Sequence, residues 1–261
     1  MGIKDVTQAA GSAVAARDDY AASYGAFSYF APEPTGGRFM AFDMPVLDIR
    51  EQARAPALDV DGFAVIDTPS VVKHFDNEEA VRRAYYAQTE AIVMQATGAA
   101  RVVALSHAVR LGAARADDSL ANVRVDVSAE TAQAYAEKAG GEPGGRRFAV
   151  INLWRPIGGP VEARPLAVAG ATSLSSEDLV PESVVVGGSG AEGCLVRHSP
   201  AHDWRYLSRQ RADEALLIKC FDSIDDGRAR QTARAAFDDA MSDPAAPLSD
   251  SIEVRTLVLY E

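Results

Sequence analysis

Cysteine is scarce in this sequence, with only Cys194 and Cys220 among 261 residues. Both lie in apolar contexts, and their spacing fits neither a zinc site nor the disulfide framework of a small secreted domain. We therefore expect two buried, reduced thiols in a cytoplasmic protein.

Long apolar runs are also missing. No stretch reaches the roughly 18 apolar residues that a transmembrane helix requires. Residues 1–19 (MGIKDVTQAAGSAVAARDD) contain acids and lack the apolar core of a signal peptide. The sequence therefore predicts neither a membrane span nor a signal peptide.

Basic residues are outnumbered, because 26 Lys and Arg stand against 37 Asp and Glu and give a formal net charge of −11. Surfaces that bind nucleic acid or anionic membranes need clustered positive charge, so neither partner is expected. An anionic small molecule would have to meet a local basic pocket.

Several catalytic motifs are absent. The glycine-rich stretches at 141–147 and 187–193 lack the flanks of a dinucleotide-binding loop or a P-loop. No Gly-x-Ser-x-Gly elbow occurs. The four histidines do not have the spacing of a metal motif; they are His74, His107, His198 and His202.

The pattern that is present favours a β-rich domain. With 48% apolar residues the chain can bury a large core. An amphipathic helix is predicted from Asn77 to Thr97, ending at Gly98, and a short helix is capped by Ser128. Most remaining segments alternate like strands, which predicts a mainly β fold with flanking helices, a sandwich or jelly-roll barrel. We expect one domain over 23–261, preceded by a segment 1–22 that is either helical or flexible.

One short strand candidate raises a question of its own. Residues 122–128 read NVRVDVS, and alternation places Arg124 and Asp126 on the same face. The simplest interpretation is a salt bridge on a strand.

Three stretches resemble a known family. They are residues 151–169 (INLWRPIGGPVEARPLAVA), 198–223 (HSPAHDWRYLSRQRADEALLIKCFDS) and 249–260 (SDSIEVRTLVLY). Together with 58–75 and 106–110 they resemble the hydroxylase/desaturase AsaB-like family, which includes gibberellin desaturase-like and CmcJ-like proteins. The resemblance begins near residue 23 and implies a double-stranded β-helix, a jelly-roll or cupin-like barrel of the iron(II)/2-oxoglutarate oxygenase kind.

The resemblance also implies a catalytic pattern from which this sequence departs. Members show Val-His-Val-Asp and later His-Thr-Ala-Phe, which look like a 2-His-1-carboxylate iron triad. An Arg-Glu-Ser before Ile-Glu-Val-Arg looks like the group that holds 2-oxoglutarate. This chain has VRVD at 123–126, RAAF at 234–237 and SDS at 249–251. Arg124 and Arg234 thus stand where the iron histidines are expected.

These exchanges disfavour iron(II) and 2-oxoglutarate, because a guanidinium keeps its protons and offers no lone pair to a metal. We expect no cofactor and no metal ligand set. The favoured function is a specialised-metabolism enzyme that performs metal-independent, redox-neutral chemistry on a small anionic or enolisable substrate: cyclisation, isomerisation, elimination or addition. Two alternatives stay open: an iron-dependent hydroxylase/desaturase whose triad is rebuilt with His107 or His202, and a non-catalytic subunit. A homodimer or a related enzyme is a possible partner.

Candidate site residues follow from this hypothesis. Arg124, Arg234 and Asp126 should meet inside the barrel and leave a net positive charge for a substrate anion. His202 is the first choice for general acid/base, with His107 second. The remaining candidates for substrate binding are Tyr86, Arg110, Arg155 and Arg255. Each has a simpler interpretation: the arginines as ion-pair partners of Glu253 or Asp222, Tyr86 as packing, and Arg124 and Arg234 as a plug that neutralises Asp126.

Overall fold

The computed structural model describes residues 23–32, 38–111, 120–139, 146–182, 192–239, 242–243 and 245–261. The predicted segment 1–22 lies outside these ranges. Within them, no helix combines the length and the apolar character needed to cross a membrane.

The described chain is mainly β, with short helices between strands. The strands are β1 (Ser23–Ala31), β2 (Arg38–Asp48), β3 (Phe63–Asp67), β4 (Arg101–Arg110), β5 (Arg124–Val125), β6 (Phe148–Ile157), β7 (Leu166–Ala169), β8 (Leu179–Pro181), β9 (Cys194–Val196), β10 (Trp204–Tyr206), β11 (Glu214–Asp222), β12 (Arg234–Ala236), β13 (Asp238–Asp239) and β14 (Asp250–Leu259). The helices are α1 (Glu78–Ala80), a π-helix (Val81–Tyr85), α2 (Tyr86–Thr97) and α3 (Ala129–Lys138), with 3-10 turns at Ile49–Glu51, Ala171–Ser173 and Ser176–Asp178.

The strands form two sheets that face each other. The major sheet has the order β13-β1-β2-β10-β7-β12-β5-β9-β8, and the minor sheet has the order β3-β11-β6-β14-β4. Apart from β2 with β10, the paired strands are antiparallel. The arrangement is the double-stranded β-helix that the sequence predicts.

Side chains between the sheets define the barrel interior. Trp154, Leu216 and Ile218 of the minor sheet pack there with Val168 and Ala236 of the major sheet. Because successive residues of a strand point to opposite faces, these residues fix which side chains face inward. We call this side of each sheet its interior face.

The outer face of each sheet is covered as well. On the minor sheet, Ile151 and Leu153 pack against Tyr85 and Val93 from the helices. On the major sheet, the hairpin of β1 and β2 folds over the outer side, and Phe27 stacks on Trp204 with ring centroids 4.3 Å apart. The protein therefore has three apolar layers, with the barrel interior in the middle.

The predicted helix at 77–97 is confirmed, with one difference. Asn77 caps it by accepting a hydrogen bond from the backbone of Ala80, and Gly98 ends it in the left-handed region at φ 65°. Near its start, Val81–Tyr85 form a π-helical turn, after which Tyr85 is buried and Tyr86 is partly buried. The cap at Ser128 is also confirmed, since its hydroxyl accepts from the backbone of Thr131.

Candidate active site in the barrel interior

Two central strands of the major sheet bring the candidate arginines together. Strand β5 pairs antiparallel with β12, and Arg234 lies directly opposite Arg124. Directly opposed residues share a face, and Arg234 also pairs with Val168, so both arginines are on the interior face. Asp126 follows β5 two residues after Arg124, which returns its side chain to the same side.

The carboxylate of Asp126 is enclosed by donors. Nη2 of Arg234 donates to Oδ1 at 2.6 Å, and Nε of Arg234 donates to Oδ2 at 3.1 Å. Asn152 Nδ2 donates to Oδ2 at 3.0 Å, and Arg124 Nε lies 3.3 Å from Oδ1. The predicted contact between Asp126, Arg124 and Arg234 is confirmed, and both oxygens of the carboxylate are occupied by donors.

The minor sheet adds further charged side chains to the same interior. Asn152 Nδ2 also donates to Oε1 of Glu253 at 2.8 Å, and Arg110 Nη2 donates to Oε2 of Glu253 at 3.1 Å. Arg255 Nη1 donates to the Tyr135 hydroxyl at 3.1 Å. The prediction that Arg110 is an ion-pair partner of Glu253 is therefore confirmed.

The expectation of a net positive interior needs a correction. Arg124 also pairs with Glu182 at 3.1 Å, and Arg255 pairs with Glu192. Among the described residues, four arginines (Arg110, Arg124, Arg234 and Arg255) are matched by four acids (Asp126, Glu182, Glu192 and Glu253). The sequence could not give this balance, because the extra acids come from distant positions along the chain.

Burial and charge act in opposite directions on Asp126. Burial alone would raise the pKa of this carboxyl, but the guanidiniums of Arg234, Arg124 and Arg255 outweigh it and lower the pKa. Asp126 is therefore ionised at neutral pH and cannot donate a proton. Burial raises the pKa of the nearby Cys220 thiol well above its ordinary value, so that side chain stays a neutral thiol.

Polar atoms without a hydrogen-bond partner gather on the interior face of the minor sheet. Within the described part of the chain these buried atoms are Arg110 Nη1, Asn152 Oδ1, Trp154 Nε1, Ser251 Oγ and Arg255 Nε. They occupy neighbouring positions, because Ser251 lies opposite Arg110, and Asn152 lies opposite Arg255. A buried polar atom left unpaired costs free energy, so such a cluster indicates that a polar molecule is received there.

Sequence reasoning missed part of this cluster. The candidate site residues selected from the sequence do not include Asn152, Trp154, Ser251 or Glu253. The signal available for them was alternation along β6 and β14, which places Asn152 and Trp154 on one side of a strand and Ser251 and Glu253 on one side of its neighbour.

His202 lies elsewhere. It packs with Tyr29 and Trp204, and Trp204 pairs with Ala169, whose neighbour Val168 faces inward. His202 is therefore on the outer face of the major sheet, across the sheet from Arg234. The expectation that it is a general acid/base in the barrel interior is not met, because its ring packs with Tyr29 and Trp204 on the outer face.

A hydrogen-bond chain holds His202 in that outer layer. Trp204 Nε1 donates to the Tyr29 hydroxyl at 2.7 Å, and this hydroxyl contacts Nδ1 of His202 at 2.9 Å. Nε2 of His202 lies 3.3 Å from Asp178. Burial lowers the pKa of His202 against a smaller opposing effect of Asp178. The histidine is a neutral structural residue in this setting.

Tyr86, His107 and Arg155 also fail to reach the interior. His107 pairs with Val254 and Arg155 pairs with Ile252, and both partners belong to the apolar layer beneath the helices. Tyr86 contacts Nδ1 of His107 at 2.9 Å on this outer side. The predicted substrate-binding set therefore divides, with Arg110 and Arg255 inside and these three outside.

The residues at the position of the expected iron site do not fit iron. Two of the three side chains are guanidiniums, which have no free lone pair, and the carboxylate already accepts three hydrogen bonds and forms an ion pair with Arg124. His107 and His202 lie behind the two sheets and cannot rebuild a triad around Asp126. Among the described residues no group of three or more His, Cys, Asp or Glu has the arrangement of a metal site.

Known proteins resemble this chain along most of its length. The family model described as Oxidoreductase/YMDC permease-like domain matches residues 26–259. The chain is 32% identical over 248 residues to the hydroxylase/desaturase efuI of Hormonema carpetanum, with 83% of each protein covered. It is 30% identical over 261 residues to the alpha-ketoglutarate-dependent dioxygenase phiK of a fungal species (strain ATCC 74256), covering 89% of this chain and 94% of the relative.

A solved structure is similar at the level of the whole fold. The iron and alpha-ketoglutarate-dependent endoperoxidase NvfI superposes with a TM-score of 0.76 at 26% sequence identity, covering 91% of this chain and 97% of that protein. This similarity supports the double-stranded β-helix. The relatives named here are enzymes of the oxygenase class.

Proposed function

The chain belongs to the hydroxylase/desaturase AsaB-like family, and from this premise we propose that it is a specialised-metabolism enzyme that works without iron or 2-oxoglutarate. Its reaction is redox-neutral: a cyclisation, isomerisation, elimination or addition on a small anionic or enolisable substrate. The relatives suggest the scaffold, whereas the side chains in the interior suggest the chemistry.

One observation carries this proposal. The position that would bind iron holds an ion-paired triad, Arg124, Asp126 and Arg234, in which both oxygens of the carboxylate already accept hydrogen bonds. This position therefore holds charged side chains and not small or apolar ones. Here two fixed guanidiniums stand in a buried setting, where preorganised donors stabilise developing negative charge far better than water does.

The roles of the residues follow from their contacts. Arg124 and Arg234 stabilise negative charge on the substrate, and Asp126 positions both guanidiniums. Arg110 Nη1 and Arg255 Nε, which have no partner among the described residues, bind substrate oxygen atoms. The Tyr135 hydroxyl, between Arg255 and the exposed Glu192, offers a proton route to solvent. In this proposal no role falls to His202, His107, Tyr86 or Arg155.

A second candidate is a non-catalytic subunit that supports a related enzyme. The balance of four arginines and four acids favours it, because paired charges can simply stabilise a former active site. The two candidates differ in what the isolated chain does: an enzyme turns over substrate alone, and a subunit acts only with its partner.

The test begins with metal and co-substrate. The purified protein is incubated with iron(II), ascorbate and 2-oxoglutarate, and bound iron and succinate are measured. We expect neither above background in the wild-type protein. The double variant Arg124→His with Arg234→His restores the donor types of the family and should bind iron(II). Stoichiometric iron and succinate in the wild-type protein would overturn the proposal.

The reaction itself is tested with metal-free protein. Intermediates made by the enzymes of neighbouring genes are supplied to chelator-treated protein, and products of unchanged oxidation level are sought by mass spectrometry. Conversion by the isolated chain that falls at least about tenfold in Arg110→Gln supports the enzyme. Conversion only after addition of a related enzyme supports the subunit.

A further inference from the structure

A second basic site lies on the outer side of the minor sheet, away from the barrel interior. Its centre is Arg155, whose side chain is fully buried (0% exposed). Trp154, the preceding residue of β6, faces the interior, so the strand itself separates Arg155 from the arginines around Asp126. A ligand at this site is independent of the proposed reaction.

The charge of Arg155 is only partly compensated. Nη1 donates to the backbone carbonyls of Thr68 at 2.8 Å and Ala212 at 3.3 Å. Nε and Nη2 have no hydrogen-bond partner, and no carboxylate pairs with this guanidinium among the described residues. The ring centroid of Tyr85 lies 5.5 Å from the guanidinium, and the Tyr85 hydroxyl is an electrostatic neighbour of Arg155. Burying a guanidinium without an acid is costly, and few buried arginines in proteins are left so.

A cavity of about 270 Å³ opens beside Arg155. Arg155 forms part of its wall, with residues 69–75 on one side and 156–158 and 212–213 on the others. Lys73, an exposed cation, also lines it. The acid in the lining, Asp213, is paired with Arg211 at 3.0 Å, so its charge is compensated.

The rest of the lining is mostly apolar. Val72 and Phe75, both buried, contribute side chains to the wall, together with Ile157. The hydroxyl of Ser70 is already engaged with the backbone of Val72. A cationic group in an otherwise apolar cavity suits a molecule with one negative end and an apolar body. The volume limits that molecule to a few carbon atoms or one ring.

We propose that this cavity binds a small organic carboxylate, with the carboxylate directed at Arg155 and the apolar part against Val72, Phe75 and Ile157. Lys73 at the rim attracts the anion. The guanidinium is shielded from water, so its attraction for an anion is stronger than that of an exposed cation. The site differs in position and in ligand set from the interior cluster, so either one can exist without the other.

Calorimetric titration with benzoate tests the proposal, with benzamide and inorganic phosphate as comparison probes at constant ionic strength. We expect the wild-type protein to bind benzoate, and to bind benzamide and phosphate at least about tenfold more weakly. Equal binding of benzoate and benzamide would overturn the role of the charge. Tighter binding of phosphate would overturn the organic class, and the absence of benzoate binding would overturn the site.

Variants locate the site. Arg155→Met removes the charge at similar size and should weaken benzoate binding at least about tenfold. Because this change also leaves two carbonyls without a donor, Ala212→Phe gives a second test: it fills the cavity while its backbone carbonyl still accepts from Arg155. Unchanged benzoate affinity in Ala212→Phe would place the ligand elsewhere and overturn the proposal. Lys73→Gln should reduce affinity about twofold.

Discussion

The carboxylate of Asp126 and the guanidinium of Arg234 form a two-point ion pair, with contacts of 2.6 and 3.1 Å, between residues that are 108 positions apart in sequence. Both side chains are almost fully buried, at 2% and 5% exposed. Such a buried ion pair adds little to the stability of the fold compared with well-packed apolar side chains of similar volume. Removal of one partner, however, leaves the other charge buried and uncompensated.

Removal of one partner should therefore be severe. We predict that Arg234→Met lowers the free energy of unfolding by about 3–5 kcal/mol, because Asp126 then loses its main counterion. The double variant Asp126→Leu with Arg234→Met should recover a large part of this loss. Urea denaturation followed by far-UV circular dichroism measures both.

A matched control is the exposed pair of Arg83 and Glu79, whose side chains are 81% and 77% exposed. Arg83→Met should leave the denaturation midpoint unchanged, since exposed ion pairs contribute little. If Arg234→Met were as mild as this control, Asp126 would have to be compensated by other groups, and the triad would not be the centre of the interior.

The close packing beside Arg124 depends on a glycine. A Cβ at position 193 would lie 2.3 Å from the carbonyl oxygen of Val125 and 3.0 Å from Nη2 of Arg124. We predict that Gly193→Ala destabilises the protein by about 1–3 kcal/mol, because β5 must shift to make room. Thermal unfolding measures the change.

Gly159 provides the comparison for this substitution. A Cβ there meets no atom within 4 Å, and the residue has no positive φ, so Gly159→Ala should leave the melting temperature almost unchanged. A neutral Gly193→Ala would contradict the tight packing of β5 against the segment before β9.

The sequence predicted the triad for a reason that explains its limits elsewhere. Arg124 and Asp126 alternate on one short strand, and the resemblance supplied Arg234 as their partner, so local pattern and family pattern agreed. Neither residue chemistry nor the family resemblance shows which way the side chains of His202 and Arg155 point. Which face of a sheet they occupy depends on strand pairing between distant segments, such as Trp204 with Ala169, and no local pattern contains it.

Local sequence pattern is also limited in what it predicts about the long helix and about the acids that pair with the interior arginines. The cap residues of the long helix were predicted because capping is local chemistry, whereas no local pattern indicates its π-helical turn at Val81–Tyr85. Glu182 and Glu192 balance the interior charge from a part of the chain with no detectable motif.

Protonation of His202 should oppose folding. Burial lowers its folded-state pKa below the unfolded value of about 6.5, so the unfolded chain binds more protons as the pH falls through that value. The contribution of neutral His202 to the free energy of unfolding is therefore fully present above about pH 7. It is lost as the pH falls below that value. We predict that His202→Gln flattens the slope of unfolding free energy against pH between about pH 7 and 5.

His198 is the control for this slope, because burial lowers its pKa as well and its ring stacks on Phe42 at 3.9 Å. His198→Gln should remove a smaller part of the slope, since His198 is less enclosed than His202. An identical slope in wild type and His202→Gln would show that the Tyr29–His202–Asp178 chain does not depend on a neutral histidine.

The hydroxyl of Ser251 is fully buried on β14 and has no hydrogen-bond partner among the described residues. If this hydroxyl is held for a substrate, its removal should stabilise the substrate-free protein, so Ser251→Ala is predicted to raise the free energy of unfolding by up to about 1 kcal/mol.

Thr256 on the same strand is equally buried but donates to the carbonyl of Ile151 at 2.7 Å. Thr256→Val should instead cost about 1 kcal/mol. Chemical denaturation compares the two variants directly, and a clear loss of stability in Ser251→Ala would mean that its hydroxyl is satisfied inside the fold and is not reserved for a ligand.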